Sequence, residues 1–308
     1  MECKECNEEI YHNNPFIVRE EGTYCYTCYR DSSVSLGEGV MLFLHSYEYK
    51  PTPKFHSLKN HKRKQEKGLL YLGVELEVEA ERDLPLEDFS GQLIDCPTSK
   101  YYFKVDNSLD FGVEVVSEPC TLAYHLNRFN WERLLSYLRE NGFESHNTES
   151  CGLHIHINKD FLTYMDGVKL GLFVYGNQYF MEQFSRRGEN TAYSKYKKGF
   201  EQSSMGAKWH THYNELARSD DRYEALNFTN YNTIEFRMFK GTLKTATFLA
   251  TLEFVSALIS YVKGKNSIEI MEKGYLGFIA FVCGGSKKQY LYLQDYLKLL
   301  GFNKAGGK

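Results

Sequence analysis

Charged and imidazole side chains alternate with aliphatic ones in three segments of this sequence. The alternating residues are Glu75, Glu77 and Glu79 in GVELEVE, His154, His156 and Asn158 in CGLHIHIN, and Glu235 and Arg237 in NTIEFRMFKGTL. Because side chains alternate across a β-strand, each set lies on one face of its strand. Carboxylates at positions i and i+2 are about 6.5 to 7 Å apart and repel one another unless a cation lies near them. Carboxylates with imidazole are ligands for Mg²⁺ or Mn²⁺, so the pattern predicts a divalent-cation site on one sheet face.

Each segment taken alone has a simpler interpretation. Glutamates on a single strand commonly face water on an open antiparallel sheet, and a lone histidine such as His154 is more often a hydrogen-bonded core residue. Two histidines that share a face with Asn158, together with a strand that presents Glu235, favour a site instead. A fourth strand, FGVEVVSEP, adds Glu114 to the candidates, and the turn after YYFKV adds Asp106.

The opposite faces of these strands are aliphatic, and amphipathic helices are available to cover them. Apolar residues recur at helical spacing in four segments, residues 121–141, 162–184, 245–263 and 288–300. The first begins at Thr121, after Pro119, and ends at Gly142, as capping preferences favour. Helices on one side of a largely antiparallel sheet predict an α+β fold whose other face is an open polar groove. The loop at 185–225 is expected at the rim of this groove.

Two C-x-x-C pairs lie near the N-terminus. They are Cys3 with Cys6 and Cys25 with Cys28, separated by 18 residues, a spacing typical of tetrahedral four-cysteine zinc sites. A closed shell of four thiolates predicts a structural zinc that folds residues 1–32, which are too few to form a core of their own. Two disulfides are the alternative, which a reducing cytosol disfavours. The remaining cysteines lack paired spacing and are interpreted as ordinary thiols.

Composition and segment order indicate the domain organisation. The length of 308 residues and the hydrophobic content of 42% allow one large domain with a small second module. We predict a zinc-binding module at 1–32, a linker with a basic loop at 33–66 and a catalytic domain at 67–308. The net charge of −3, the lack of an 18-residue apolar run and the lack of a basic-then-apolar leader predict a cytoplasmic protein with no membrane span and no specific nucleic-acid partner.

Four segments, in this order, resemble the amidoligase family of phage and bacterial type: YLGVELEVE, KVDNSLDFGVEVVSEP, CGLHIHIN and RYEALNFTNYNTIEFRMFKGTL. The resemblance covers residues 40–260, and the ordered set is more specific than any single motif. It implies the catalytic fold of the glutamine synthetase and glutamate-cysteine ligase superfamily. It also implies an ATP-dependent joining of a carboxylate to an amine through an acyl phosphate. A four-cysteine, zinc-ribbon-like module is a frequent N-terminal addition to such proteins.

The resemblance further implies roles for individual residues. Glu75 and Glu77 match the paired glutamates that hold separate Mg²⁺ or Mn²⁺ ions. His154 matches a histidine metal ligand, and Glu235 matches an acid that helps to bind metal. His156 matches the residue nearer the nucleotide phosphates.

The remaining implied roles concern substrates and phosphate. Arg237 matches an arginine that grips a substrate carboxylate or a phosphate, while Asp106 and Glu114 are further ligands or acids that position the amine. The candidates for γ-phosphate contacts from the rim are Arg222 and either Arg186 or Arg187. The carboxylate and amine substrates are small molecules, peptides or proteins, and the zinc module is a candidate site for a protein partner. Nothing matches the residues with which glutamine synthetase selects glutamate and ammonia.

Two other function classes use the same residues differently. Phosphoryl transfer to a carboxylate brings two anions together, so divalent ions and arginines must neutralise charge. The sequence has no G-x-x-x-x-G-K-[ST] loop and no G-x-G-x-x-G motif, so metals and arginines would hold the nucleotide. A metal-dependent hydrolase could use the same His/Glu face without ATP and without the E-x-R strand. A non-catalytic adaptor built on the zinc module is the third alternative, and it predicts that Glu75 and Glu77 are replaceable.

Overall fold

The computed structural model describes most of the chain from residue 44 onward. The described residues are 2, 7, 16–19, 22–25, 44–45, 47–59, 63–80, 100–104, 106, 108–109, 112–187, 195–196, 222–284 and 289–302. The predicted zinc ligands Cys3, Cys6 and Cys28 lie outside this set, and of Cys25 only the backbone is described. Most of the predicted rim loop also lies outside it.

The described strands form one open, mostly antiparallel sheet. They are β1 (Phe16–Arg19), β2 (Gly22–Cys25), β3 (Leu44–His45), β4 (Leu72–Ala80), β5 (Tyr101–Lys104), β6 (Gly112–Ser117), β7 (Phe143–Glu144), β8 (Gly152–Asn158), β9 (Leu226–Asn227) and β10 (Thr233–Lys240). Their order is β2-β1-β3-β5-β6-β4-β8-β10-β9, and β7 also pairs with β4. Of the pairings between these strands, only that of β3 with β5 is parallel. The N-terminal hairpin β1–β2 therefore continues the same sheet through β3.

The three strands β4, β8 and β10 bring predicted site residues side by side. Glu75 lies opposite His154 across β4 and β8. Glu235 lies opposite His156 across β8 and β10. Directly opposed residues share a face and have Cβ atoms about 4.5–5.5 Å apart. Strand pairing alone therefore gathers these four polar side chains into one cluster.

The aliphatic residues of the same strands form a hydrophobic core with the helices. The described helices are α1 (Leu122–Asn127), α2 (Trp131–Glu140), α3 (Tyr164–Gly176), α4 (Gln178–Ser185), α5 (Thr245–Gly264), α6 (Ser267–Gly284) and α7 (Leu291–Leu299), with a 3₁₀ turn at Lys159–Phe161. Val74, Ile155 and Phe236 are buried in one cluster with Phe248 and other helix residues. The fold thus combines helices with a mostly antiparallel sheet, and this coarse part of the predicted α+β architecture is confirmed.

Helix α5 lies at the centre of the helical layer. It packs against α1, α2, α3, α6 and α7, and the ring of its Phe248 lies 4.4 Å from that of Trp131. Among the described residues, α5 is the one helix long and apolar enough to cross a membrane, but 78% of its most apolar window is buried inside the structure. Such burial is what a central core helix requires.

The prediction of a single helix at 121–141 is wrong. The chain forms α1 and α2 instead, because Asn130 caps the start of α2 by accepting a hydrogen bond from the backbone N–H of Arg133. An asparagine cap within an apolar pattern begins a new helix. The predicted helix at 245–263 is confirmed as α5.

Asn177 interrupts the predicted helix at 162–184 and separates α3 from α4. Its side-chain amide donates to the carbonyl of Phe173 at 2.8 Å, and its Oδ1 accepts from the N–H of Tyr275 in α6 at 2.9 Å. Helix α6 is absent from the sequence-based predictions. It bends at Gly274, where φ is 48° and a Cβ atom would lie 2.7 Å from Asn177 Oδ1. One asparagine therefore fixes the α3–α4 break against the bend in α6.

The alternation along β10 breaks once. Alternation through NTIEFRMFKGTL predicts Thr233, Glu235, Arg237 and Phe239 on one face. Phe239 is instead wholly buried, and its ring lies 5.9 Å from that of Phe254. The register with β8 shifts between Phe236 and Phe239. Because a bulge inserts an extra residue into one strand, it changes the face of the residues that follow. The assignment of Phe239 to the polar face is therefore wrong, whereas Glu235 and Arg237 keep that face.

Candidate active site

Glu75, His154 and Glu235 converge at the centre of the polar face. His154 Nδ1 lies 3.7 Å from Glu75 Oε2 and 3.6 Å from Glu235 Oε1. One ligand atom from each residue lies within 4.8 Å of the other two. His154 and Glu235 are buried, whereas the Glu75 side chain keeps 25% of its surface exposed. We call these three residues the triad; their donor atoms are close enough to ligate a single ion.

His156 lies beside the triad. Its Nε2 is 3.2 Å from Glu75 Oε2 and 3.9 Å from Glu235 Oε1, and its Nδ1 is 3.2 Å from Thr233 Oγ1. Burial by itself lowers the pKa of His156, but the charges of Glu75 and Glu235 raise that pKa to about 9. The imidazole is therefore protonated at neutral pH in this arrangement and offsets part of the charge of the two carboxylates.

Both carboxylates of the triad are held in their ionised form. Burial raises the pKa of Glu75, but the positive charges of His156 and His154 outweigh it, and the pKa lies well below the usual range. Burial also raises the pKa of Glu235, yet His156, Arg237 and His154 bring it below the usual value. Two ionised carboxylates and an imidazole whose ligand atoms lie this close together form a ligand set for a hard divalent cation. The residues present therefore fit Mg²⁺ or Mn²⁺.

Two asparagines that the sequence analysis does not assign hold Glu235 in place. Asn227 Nδ2 donates to Glu235 Oε2 at 2.8 Å, and Asn230 Nδ2 donates to the same oxygen at 3.1 Å. Arg237 donates to the other oxygen, Oε1. Asn227 is positioned by its strand, because β9 pairs with β10 and Asn227 lies opposite Glu235. Both residues occur in the segment NFTNYN. The polar composition of this segment is the sequence signal that could have identified them.

Glu77 lies next to the triad and is nearly buried. Its Oε1 is 3.9 Å from His154 Nε2, and its Oε2 accepts from the backbone N–H of Gly152. A Cβ atom at position 152 would lie 2.7 Å from His154 Nε2 and 3.2 Å from Glu77 Oε2. Glycine is therefore the residue that allows β8 to approach this carboxylate so closely.

Three of the predicted arginines line the cavity that contains the triad. Arg187 is buried and donates from Nη1 to the carbonyl of Arg237 and from Nη2 to the carbonyl of Ser150, both at 3.1 Å. Arg222 is exposed, and its Nη2 donates to the hydroxyl of Tyr223 at 2.9 Å. The Arg237 guanidinium lies 5.8 Å from the centre of the Tyr223 ring. These guanidinium groups add positive charge at one side of the triad.

Arg186 is placed elsewhere. Its Nη2 donates to the carbonyl of Lys240 at 2.7 Å, and its guanidinium lies 5.8 Å from the centre of the Tyr296 ring. It lines a separate cavity beside the start of α5. Of the two arginines offered as alternatives for a phosphate contact, only Arg187 reaches the triad's side of the sheet.

Asp106 and Glu114 line the same cavity as the triad. Glu114 is buried, and Lys104 Nζ lies 2.9 Å from its Oε2. Burial and the charge of Glu75 raise the pKa of Glu114 well above the usual range, although Lys104 opposes the shift. Asp106 Oδ1 accepts from the backbone N–H of Ser108 at 2.7 Å, which fixes the turn that follows β5.

Two cavities meet at Glu75 and His156. The first, of about 570 Å³, contains the triad and the charged residues described above; we call it the charged cavity. The second, of about 750 Å³, is lined mainly by aromatic rings, prolines, amides and hydroxyls, and we call it the neutral cavity. Its residues include Pro53, Phe55, Gln65, Tyr71, Asn158 and Thr233. Glu75 and His156 line both cavities, so the triad lies at their boundary.

Comparison with protein families gives a match over part of the chain. A family model described as "Putative amidoligase enzyme" matches residues 87–175. No curated protein matches the chain. The matched segment contains Asp106, Glu114, His154 and His156, whereas Glu75 and Glu235 lie outside it. The match supports the amidoligase family for this chain and, with it, an enzyme of the ligase type.

Proposed function

We propose that this protein is an ATP-dependent carboxylate–amine ligase that forms an amide or peptide bond through an acyl phosphate. The observation that carries the proposal is the position of the triad, at the boundary between a charged and a neutral cavity. An enzyme that activates a carboxylate with ATP needs a place for an uncharged base, a centre that neutralises phosphates and a place for charged substrates. The neutral cavity, the triad and the charged cavity supply these three places in turn.

The neutral cavity suits the base and sugar of a nucleotide. Apart from Glu75 and His156 at the boundary, its ionic side chains are bound within the protein. Lys159 Nζ donates to the carbonyl of Phe228 at 2.7 Å, and Asp160 accepts from Gln65 at 2.8 Å and from Asn158 at 2.6 Å. What remains for a ligand is mainly aromatic and other apolar surface. Pockets with that composition bind flat, uncharged groups.

Glu75, His154 and Glu235 would hold one Mg²⁺ or Mn²⁺. Such an ion, when bound, would neutralise phosphate oxygens and favour in-line transfer of the γ-phosphoryl group. Arg187, Arg222 and Arg237 are proposed as further contacts to phosphate or to the substrate carboxylate, because guanidinium groups match both geometries. Arg186 is not included, because its guanidinium faces a different cavity.

The reaction divides into two transfers. A carboxylate oxygen of the substrate attacks the γ-phosphorus, an O–P bond forms, and the bond to the β,γ-bridging oxygen breaks to release ADP. The amine then attacks the acyl carbon, a C–N bond forms, and the C–O bond to phosphate breaks to release inorganic phosphate. Asp106, which lines the charged cavity, is proposed to position the amine and to accept its proton. The substrates are thus a carboxylate and an amine of small molecules, peptides or proteins.

The test measures ATP turnover with acyl-phosphate trapping. The full chain is incubated with ATP, Mg²⁺ or Mn²⁺, hydroxylamine and a panel of amino acids, dicarboxylates and peptides, and both phosphate release and hydroxamate formation are recorded. We expect both products to require ATP, the divalent ion and a carboxylate. Glu75→Gln should lower turnover by about 100-fold or more.

A matched control is available on the same strand. Glu79 shares the face of Glu75, but its Oε1 accepts from Ser150 Oγ at 2.7 Å and the residue does not line the charged cavity. Glu79→Gln should keep turnover within about threefold of the unmodified protein. Metal-dependent cleavage of esters or amides with no requirement for ATP would reject the ligase and favour a hydrolase.

A further inference from the structure

Three charged residues stand in a row across β4, β6 and β5. Glu114 on β6 lies opposite Glu77 on β4 and opposite Lys104 on β5. The Lys104 ammonium lies 2.9 Å from Glu114 Oε2, and the two side chains are only 13% and 3% exposed. Because water screens them little, the ammonium and the Glu114 carboxyl group act strongly on each other. Lys104 has no assigned role in the sequence analysis.

The surroundings of Lys104 resemble those of a bound cation. The negative charges of Glu114, Glu75 and Asp106 all act on its ammonium group, which contacts Glu114 directly. All four residues line the charged cavity. An ammonium group among three carboxylates neutralises them as a metal ion would, and it is fixed to the chain.

Glu77 is also compensated within the protein. Its Oε2 accepts the N–H of Gly152, and its charge acts on the buried guanidinium of Arg187. Among the described residues, the group of acidic and histidine side chains close enough to hold an ion is Glu75, His154 and Glu235, and Glu77 and Glu114 are not part of it. The negative charges of Glu77 on β4 and Glu114 on β6 thus already have positive side chains near them, Arg187 and Lys104.

We propose that Lys104 is a built-in second cation, so that this protein holds one divalent ion per chain at the triad and not a pair of ions. The inference rests on the proposed function, because it describes how the same cavity balances the charge of phosphate and carboxylate substrates. It departs from the resemblance, which implies separate ions for Glu75 and Glu77. Lys104 then provides a fixed positive charge near Glu114 and Asp106 in the charged cavity, where a second metal ion would otherwise be needed.

The experiment counts bound Mn²⁺ by electron paramagnetic resonance, on the full chain and without nucleotide. We expect one bound Mn²⁺ per chain. Glu75→Gln should weaken binding by about 10- to 100-fold or more, because it removes a direct ligand. The double variant Lys104→Met with Glu114→Gln removes both members of the ion pair with side chains of similar size. It should still bind one Mn²⁺, with an affinity within about threefold of the unmodified chain, provided that its thermal melting is cooperative.

The outcomes separate this inference from the proposed function. Two Mn²⁺ per chain at affinities within tenfold of each other would overturn the single-ion inference, and loss of one of them in the double variant would place that ion at Glu114. If Glu75→Gln removes one of the two ions, the triad and the ligase proposal stand. Unchanged Mn²⁺ binding in Glu75→Gln would instead show that the triad does not bind the ion, and it would overturn both proposals.

Discussion

At the residue scale, the site depends on one position that has no side chain. Gly152 begins β8, and its N–H donates to Glu77 Oε2. The space where a Cβ atom would stand is bounded by His154, Glu77 and Arg187, at 2.7, 3.2 and 3.3 Å. A distance of 2.7 Å is well inside normal contact, and the strand holds His154 between β4 and β10, so the imidazole must move.

Gly152→Ala should therefore weaken Mn²⁺ binding by about tenfold, because it displaces the triad's imidazole from its two carboxylates. The free energy of unfolding should fall by about 1–3 kcal/mol from overpacking. Mn²⁺ titration measures the affinity, and urea unfolding measures the free energy of unfolding. Gly73→Ala is the control, since a Cβ at that position would lie 3.6 Å from the nearest atom, the His156 Cβ, which is ordinary contact. Equal affinities in the two variants would show that Gly152 does not shape the site.

The identity of the triad residues was predictable, but their supporting residues were not. Glu75, His154 and Glu235 follow from alternation within single strands, which a sequence displays directly. Lys104 and Asn227 reach their partners only through the register between two paired strands, β5 with β6 and β9 with β10. No local pattern specifies such a register, so the Lys104–Glu114 pair and the asparagine bonds to Glu235 emerge only from the sheet.

At the scale of elements, α1 is joined to β4 through a buried histidine. His125 Nδ1 accepts from Trp131 Nε1–H at 3.2 Å, since an indole can only donate. Its Nε2 then carries the proton and donates to the carbonyl of Leu72, the first residue of β4, at 3.0 Å. The neutral imidazole thus satisfies both partners, and a second proton on Nδ1 would break the bond from Trp131.

This arrangement predicts acid sensitivity of folding. Burial lowers the pKa of His125 to about 4, although its hydrogen bond to Leu72 opposes the shift. The unfolded chain takes up the proton near pH 6.5 and the folded chain only near pH 4, so stability falls as the pH drops through that window. Between pH 7 and 4.5 the loss attributable to His125 is about 2.5 kcal/mol. Urea unfolding of the unmodified protein and of His125→Gln at both pH values measures it as the difference between their two losses. Identical losses would show that His125 does not titrate in this way.

Element boundaries were less predictable than element types. The apolar spacing identifies α5 because its stripe is long and uninterrupted, whereas Asn130 and Asn177 divide the other two long segments. An asparagine in a helical pattern is compatible with either continuation or a break, and tertiary contacts decide. For Asn177 the deciding contact is the N–H of Tyr275, which is 98 residues away. The bulge in β10 is similar, because it depends on pairing with β8.

At the scale of the whole molecule, the site draws on more of the chain than the family match covers. Residues 87–175 supply His154, His156, Asp106 and Glu114, while Glu75 and Glu235 come from either side of that segment. Assembly of the triad therefore requires the strands outside the match to pair with β8. The same sheet extends in the other direction to the N-terminal hairpin, through β3 and β5.

This topology allows a prediction for the zinc module, whose ligands are predicted as Cys3, Cys6, Cys25 and Cys28. Cys25→Ser with Cys28→Ser should abolish zinc binding and speed hydrogen exchange in β1 and β2, because the module is expected to need the ion to fold. Mn²⁺ affinity at the triad should stay within about threefold. Four strand spacings of about 4.8 Å separate β1 from β4, which exceeds the screening length of about 8 Å at physiological ionic strength. Zinc content, amide exchange and Mn²⁺ titration measure the three effects, and Cys283→Ser, an exposed cysteine in α6, is the control. Loss of Mn²⁺ binding together with zinc, in a protein whose control variant binds both, would show that the N-terminal hairpin holds the central strands in register.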